Sequence, residues 1–441
     1  MLYVRGQKEH YDHWAALGNP GWAYDDVLPY FKATEHQERG ADSFRGVNGA
    51  LNVCDSQSKP EINDYFIQAA HDCGYPLNED FNAASQEGIG YFQVTQKNGL
   101  RCSSAKGFLT PNLLRKNLTV LTNIHVSKLL IKNKQAMGIQ YQQKNKTIEL
   151  NANKEVIVSA GAFHSPQLLM LSGIGDPEQL KEHKIEVIHS LKGVGKNLQD
   201  HLDILTVNQI NYHQVLAYRP KSAWWITKQL IRFLTKRQGI VTSVIAESGG
   251  FIKSENTLQR PDLQLHFIPA AMDDHGRNSQ QLLQYGMALH ACLLRPKSTG
   301  EVKLANKNSA SAPKIYLNML SHPDDMQVML KAVKICRDIF TQPSLAKLIV
   351  KAIYPKNHCQ SDKQIKEFIR SKANTIYHPV GTCKIGNDQA SVVNSSLSVH
   401  GINNLRVVDA SVMPTIISGN TDAPTIMIAA KAADMILTAH Q

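Results

Sequence analysis

The sequence predicts an α/β unit, left after about 200 residues and rejoined near the end, that carries an α+β unit built on an antiparallel sheet. Three observations predict this. The apolar run Val156-Ile-Val-Ser-Ala160 passes straight into small residues and then a helix-forming stretch, the order of an interior strand feeding a helix. Strand-like runs crowd the middle of the chain, at 263–268, 287–294 and 301–304. A last strand, Leu405-Arg-Val-Val-Asp409, leads to an apolar helix opened by Pro424. The segments expected are 1–202 and 374–441 for the α/β unit and 203–373 for the α+β unit.

Taken in order, the segments 11–15 and 21–31 read as aromatic packing helices, with Asp25 a candidate cap. Period-two alternation then predicts strands over 118–122, 127–131 and 136–142, followed by the buried run 155–160. Ser165-Pro166 reads as a helix start, Ser as N-cap and Pro in the first position. A basic, helix-like stretch interrupts the central strands at 221–239. Pro323-Asp-Asp-Met326 opens a helix that places Met326, Met329, Val333, Cys336 and Phe340 on one face.

At 441 residues, 42% hydrophobic and 19% charged, the chain can bury a large core. Its Lys and Arg exceed Asp and Glu by 11, but they are dispersed, and no nucleic-acid-binding consensus occurs. A nucleic-acid partner is therefore not expected. No apolar stretch is long enough to span a bilayer, and residues 1–14 lack the apolar run of a signal peptide. Seven cysteines, none spaced as Cys-x-x-Cys, argue against a disulfide framework and a zinc site, and point to a reducing, cytoplasmic setting.

Three stretches carry chemistry. In Val156 to Gly175 the small residues Ser159, Ala160, Gly161 and Ala162 let the backbone approach a planar or phosphorylated ligand. A tight turn chosen for packing explains that stretch equally well. In Asn374-Thr-Ile-Tyr-His-Pro-Val-Gly-Thr382, His378 stands beside a rigid turn and is a candidate base. The third runs from Asp409 and Ala410 through Gly419-Asn-Thr-Asp-Ala-Pro-Thr425, where a helix N-terminus suits electron-rich groups.

Together these stretches resemble the glucose-methanol-choline oxidoreductases, FAD-dependent enzymes that oxidise alcohols. Gly161-Ala-Phe-His-Ser-Pro-Gln-Leu-Leu-Met-Leu-Ser-Gly-Ile-Gly175 fits the family's second signature throughout, and Met1 to Gly6, Thr95 to Ser103, Gly193 to His201 and Arg295 to Val302 extend the likeness over nearly the whole chain. The resemblance implies an FAD cofactor and a catalytic base at His378, with Asn420 and Asp422 beside it. It implies a flavin lying along Ser159 to Ala162, Asp409 and Ala410, with Asn420, Pro424 and Thr425 near it and Val126 meeting the adenine half. His164 and His201 read as structural histidines. No metal is implied.

Two departures from the family pattern stand out. Where the family has a second Asn in Gly-Asn-Thr-Asn-Ala-Pro-Thr, this chain has Asp422, which if ionised would raise the pKa of a neighbouring His378. Asn420 keeps the first amide, two residues away. The family also begins with a strand and a Gly-x-Gly-x-x-Gly loop for the FAD pyrophosphate, and by that likeness roughly 80 residues of the expected chain, including the first Rossmann unit, are missing from this sequence. An N-terminally incomplete Rossmann-like domain is therefore expected. The function expected is FAD-dependent alcohol oxidation, the alternative a truncated, non-redox remnant. An in-frame Gly-x-Gly-x-x-Gly upstream of Met1 would separate them.

The likeness is greatest to the choline dehydrogenase and aliphatic alcohol dehydrogenase branch, which implies an alcohol substrate and a quinone or other electron acceptor. Choline would need an aromatic cage or a carboxylate, for which Trp224, Trp225, Tyr377 and Glu247 are candidates; a neutral aliphatic alcohol is preferred. The stretch 221–239 sets Trp225, Leu230, Phe233 and Leu234 among Lys221, Lys228, Arg232, Lys236 and Arg237. That composition suits peripheral contact with the inner face of an anionic membrane, or a core-packed helix with a solvated basic side.

Overall fold

The computed structural model describes residues 1–144, 146–273 and 279–440. The α/β unit is built around a parallel pair, Val156–Val158 beside Leu405–Val407, in the register Val156↔Leu405 and Val158↔Val407. Alternation buries Val156 and Val158 on one face and leaves Ile157 45% exposed on the other. The helix Gly161–Leu171 follows directly. Next to the pair lies an antiparallel meander of His125–Lys132, Gln135–Gln143 and Lys146–Asn151.

The expected strand over 118–122 does not form. No described strand pairs with it, and Val120 and Leu121 stand exposed in irregular chain. Alternation alone is not a strand without a ladder to join. The helix start also differs. It begins at Gly161, capped by Ala160, and Pro166 lies inside it and not in the first position. In the helix Tyr24–Thr34 the capping carboxylate is that of Asp26, which accepts from Ala23 N at 3.1 Å, and not Asp25.

The second unit is an antiparallel sheet in the order Ile349–Tyr354, Leu202–Ile210, Gly286–Leu293, Leu263–Ile268, Ser248–Ile252, Gly88–Tyr91, with Asn374–Thr375 added at the start of Leu202–Ile210. One face is covered by the helix Pro323–Thr341, whose Met326, Met329, Val333, Cys336 and Phe340 are all buried. Two cores result. One joins Tyr3 to Val53 with residues from Cys102 to Val194 and Val380 to Ala432; the other spans Leu202 to Ile369. Ile62, Phe66, Ala69, Ala70 and Ile89 belong to the second core, so the chain enters the sheet region once before residue 202.

The register of the central strands sets which side chains reach the junction of the two units. Gln264 pairs with Cys292, and His266 lies between Gly249 and His290. The sheet thus offers Gln264 and His266 beside the return segment at 374–382. All seven cysteines are free, and all but Cys73 are buried.

Candidate active site

The site forms where the end of the α/β unit meets the central sheet. Asp200 organises it: one carboxylate oxygen, Oδ1, accepts from His201 N at 2.8 Å and from His378 N at 2.9 Å. Its other oxygen accepts from the Thr375 hydroxyl. Burial raises the Asp200 pKa and these three hydrogen bonds oppose the rise. One side chain therefore fixes the backbone of two histidines that are far apart in sequence.

Those histidines meet. His201 Nδ1 lies 3.0 Å from His378 Nδ1, the rings nearly perpendicular, and His201 Nε2 lies 3.2 Å from the Leu294 carbonyl. On the far side of His378, Nε2 is 3.1 Å from Asn420 Nδ2, and Asn420 Oδ1 accepts from Gln264 Nε2 at 3.2 Å. Burial drives the His378 pKa well below the ordinary imidazole value, and the neighbouring imidazoles of His201 and His266 act in the same direction. Burial lowers His201 to about 4, the carbonyls of Leu294 and Ile417 resisting. Both rings are neutral near neutral pH. A neutral, buried imidazole with one nitrogen directed at an amide can take a proton from a hydroxyl.

Of the candidate residues in the sequence, His378 and Asn420 come together. Asp422 does not join them: it is exposed in the first turn of the helix Asp422–Ala439, and it is not among the groups that shift His378. The expected rise in His378 pKa is replaced by a fall. The amide of Asn420, two residues before the departing position, is the one that reaches the histidine. His201, whose local sequence suggests only a structural histidine, touches His378. Gln264 lies in an ordinary strand sequence that gives no sign of its role. His164 is exposed.

The residues expected along a flavin form an open wall. Ser159 and Ala160 are exposed, and a Cβ on Gly161, at φ +83°, would meet nothing within 4 Å. A flat ligand therefore fits against this backbone. Asp409 stands behind it, its Oδ2 accepting from Gly161 N at 2.9 Å and Ser165 Oγ at 2.5 Å, its Oδ1 from Ser411 N at 2.8 Å. Two donors occupy Oδ2 and one occupies Oδ1, so Asp409 shapes the wall and keeps one acceptor position, on Oδ1, for a further donor. Gly381 N bonds Ala410 O at 3.3 Å and joins the wall to the His378 loop. At φ +93°, a Cβ on Gly381 would come 2.5 Å from Asn197 O, which requires glycine there. Pro424 is buried, Thr425 Oγ1 donates to Thr421 O at 2.7 Å, and Val126 lies half-buried in the strand His125–Lys132.

The helix Pro220–Lys236 lies apart from this site and buries only Ser222 fully. Trp225, Ile226, Gln229 and Phe233 turn partly inward, whereas Trp224 (64% exposed), Ile231 (57%) and Leu234 (65%) face out. Trp225 and Phe233 are thus on the packed side and not on the exposed apolar side. No helix among the described residues is long and apolar enough to cross a membrane, and none of their His, Cys, Asp and Glu groups could hold a metal ion.

Comparison with known proteins identifies the family. Residues 1–203 and 296–429 match the family described as GMC oxidoreductase. An alcohol dehydrogenase (acceptor) of Pseudomonas putida is 44% identical over 99% of this chain and 79% of its own length. The mitochondrial choline dehydrogenase of Homo sapiens is 42% identical over 99% of this chain and 73% of its own. Among solved structures, the pyridoxine 4-oxidase from Mesorbium loti superposes with a TM-score of 0.88 at 25% identity, covering 100% of this chain and 82% of that one. An FAD-dependent oxidoreductase from Chaetomium thermophilum gives 0.89 at 25% identity, covering 100% and 84%. With the sequence signature, the two-unit fold and the His378–Asn420 pair in place, the chain belongs to the GMC oxidoreductase family.

Proposed function

We propose that the chain oxidises an alcohol to the aldehyde or ketone with FAD as its cofactor. The observation that carries this is the buried, neutral His378 with Nε2 3.1 Å from the Asn420 amide. Ser159 to Ala162, backed by Asp409 and Ala410, would line the flavin; Asn420, Pro424 and Thr425 would border it, and Val126 would meet the adenine end. FAD, when bound, supplies the acceptor for the hydride that leaves the alcohol carbon. The chain's own residues do the rest. His378 Nε2 takes the hydroxyl proton, and a hydrogen of the Asn420 amide holds the oxygen on which negative charge grows. Asp422, exposed at its helix start, takes no part in holding that oxygen. A non-redox remnant is disfavoured by a chain that keeps this pair buried and oriented.

A neutral aliphatic alcohol is the preferred substrate over choline. The candidate cage is dispersed: Trp224 stacks under Lys228 on the outer helix, Glu247 accepts from Ser243 in the interior, and Tyr377 is exposed next to His378. A quinone or similar carrier is the preferred electron acceptor. The outward side of Pro220–Lys236 supports peripheral contact with anionic lipid at the cytoplasmic face of a membrane. Trp224, Ile231 and Leu234 form an apolar stripe at helical spacing, bordered by Lys221, Lys228, Arg232 and Lys236.

The test is anaerobic addition of a medium-chain primary alcohol to the FAD-loaded protein. Bleaching of the flavin band is expected. No bleaching with any primary alcohol would overturn the reading, and faster bleaching with choline would reverse the substrate preference.

A further inference from the structure

The hydrogen bonds around His378 have a direction that their chemistry forces. The Leu294 carbonyl oxygen offers only lone pairs, so His201 Nε2, 3.2 Å away, carries its hydrogen. A neutral imidazole holds one such hydrogen, which leaves His201 Nδ1 bare. Two bare nitrogens 3.0 Å apart would repel, so His378 Nδ1 carries a hydrogen and donates it to His201. His378 Nε2 is then the bare nitrogen, and it faces the Asn420 Nδ2. The opposite direction would need His201 Nε2 to confront the Leu294 oxygen lone pair against lone pair. That would leave a fully buried ring with an unpaired acceptor, since His201 is 0% exposed.

We propose that His201 is a positioning residue that sets the tautomer of His378, its Nδ1 lone pair holding the His378 Nδ1 hydrogen so that Nε2 stays bare toward the substrate. Gln264 does the corresponding work for the second partner: by donating to Asn420 Oδ1 it turns the amide so that Nδ2, not oxygen, meets His378. The chain Leu294, His201, His378, Asn420, Gln264 is thus anchored on a carbonyl at one end and on a buried sheet residue at the other. It also survives turnover. When His378 Nε2 gains a proton, its Nδ1 hydrogen still points at His201, so the ring need not rotate. Asp200 complements this by fixing the backbone N–H groups of both histidines. The assignment rests on His378 being the base proposed above.

Two measurements test it separately from that reading. In protein labelled with ¹⁵N-histidine, long-range ¹H–¹⁵N correlation at neutral pH should show His378 protonated at Nδ1 and bare at Nε2, and His201 the reverse. A hydrogen on His378 Nε2 overturns the proposal whatever the enzyme oxidises. In the FAD-loaded enzyme, His201→Phe removes the acceptor, whereas His201→Asn returns an amide oxygen near the position of Nδ1. Flavin reduction by alcohol should fall by about 10²-fold or more in His201→Phe at nearly unchanged KM and flavin content, and His201→Asn should recover at least roughly a tenth of the original rate. Equal loss in both variants, or none in His201→Phe, overturns it. An enzyme that is inactive throughout but shows the expected nitrogen pattern would instead refute the assigned activity.

Discussion

Thr382 Oγ1 donates a 2.6 Å hydrogen bond to the Ala162 carbonyl, the acceptor that Pro166, four residues on and without an N–H, leaves open. The loop that carries His378 is thereby tied to the helix Gly161–Leu171, at whose start the flavin is proposed to lie. Thr382→Val should leave that buried carbonyl unpaired and cost about 1–3 kcal/mol, read from urea unfolding. Adding Pro166→Ala in the same chain restores an N–H in the helical direction, and should recover about 1 kcal/mol. Simple addition of the two single effects would show that the residues do not share the acceptor.

His378→Ala should reduce the rate of flavin reduction by at least about 10²-fold while FAD stays bound, because a base acts on the transition state and not on the cofactor. Asp422→Asn should change the same rate by less than about threefold, in keeping with its exposed place in the last helix. Stopped-flow reduction of each variant checks both. A larger effect at Asp422 than at His378 would remove the assignment of the base.

The buried histidines set the response to acid. The His378 pKa is depressed, so its Nε2 remains available above and somewhat below the ordinary imidazole value near 6.5. The profile of kcat/KM should therefore be flat through neutrality on its acid side and fall only well below pH 6.5. Stability follows the same sign. His201 titrates at about 4 when folded and near 6.5 when unfolded, so its contribution is complete above 6.5 and is lost as pH falls between those values. The loss amounts to about 3 kcal/mol for this residue. Urea titrations across that range measure it, and a midpoint independent of pH would contradict it.

Vesicle binding separates the two sides of the helix Pro220–Lys236. The protein should sediment with vesicles of anionic phospholipid at low salt and be released as salt rises. Trp224→Ser with Ile231→Ser should abolish sedimentation without changing the melting temperature by more than a few degrees. Trp225→Ser, on the packed side, should do the reverse. Recovery of the unaltered protein wholly in the supernatant at low salt would exclude the contact.

Legibility in the sequence declines with distance along the chain. The helix Pro323–Thr341 carries its own periodicity, the runs at 263–268 and 287–294 read as strands, and His378 sits in a distinctive local motif, whereas the central strands Leu202–Ile210 and Ser248–Ile252 are not among those expected from the sequence. Asn420 can be placed near it only by likeness, and its precedence over Asp422 depends on how the turn before the last helix is wound. The contact of His201 with His378 joins residues 177 apart and leaves no local trace. Pro166 misleads for a different reason: proline is suited to a first turn, and only the tertiary hydroxyl of Thr382 makes it acceptable further in. The segment 118–122 alternates as a strand does but finds no neighbour to pair with.

The seven free cysteines make the folded chain its own unfolding clock. Burial pushes the Cys54 thiol up to about 12 and raises those of Cys292, Cys336 and Cys383 as well, so few thiolates are accessible for a disulfide reagent to find. Labelling of the six buried thiols must wait for an opening event, whereas Cys73 is only half-buried. Because Cys102 and Cys383 lie in one core and Cys336 in the other, mass spectrometry of the labelled peptides over time would report whether the two units open together or in turn.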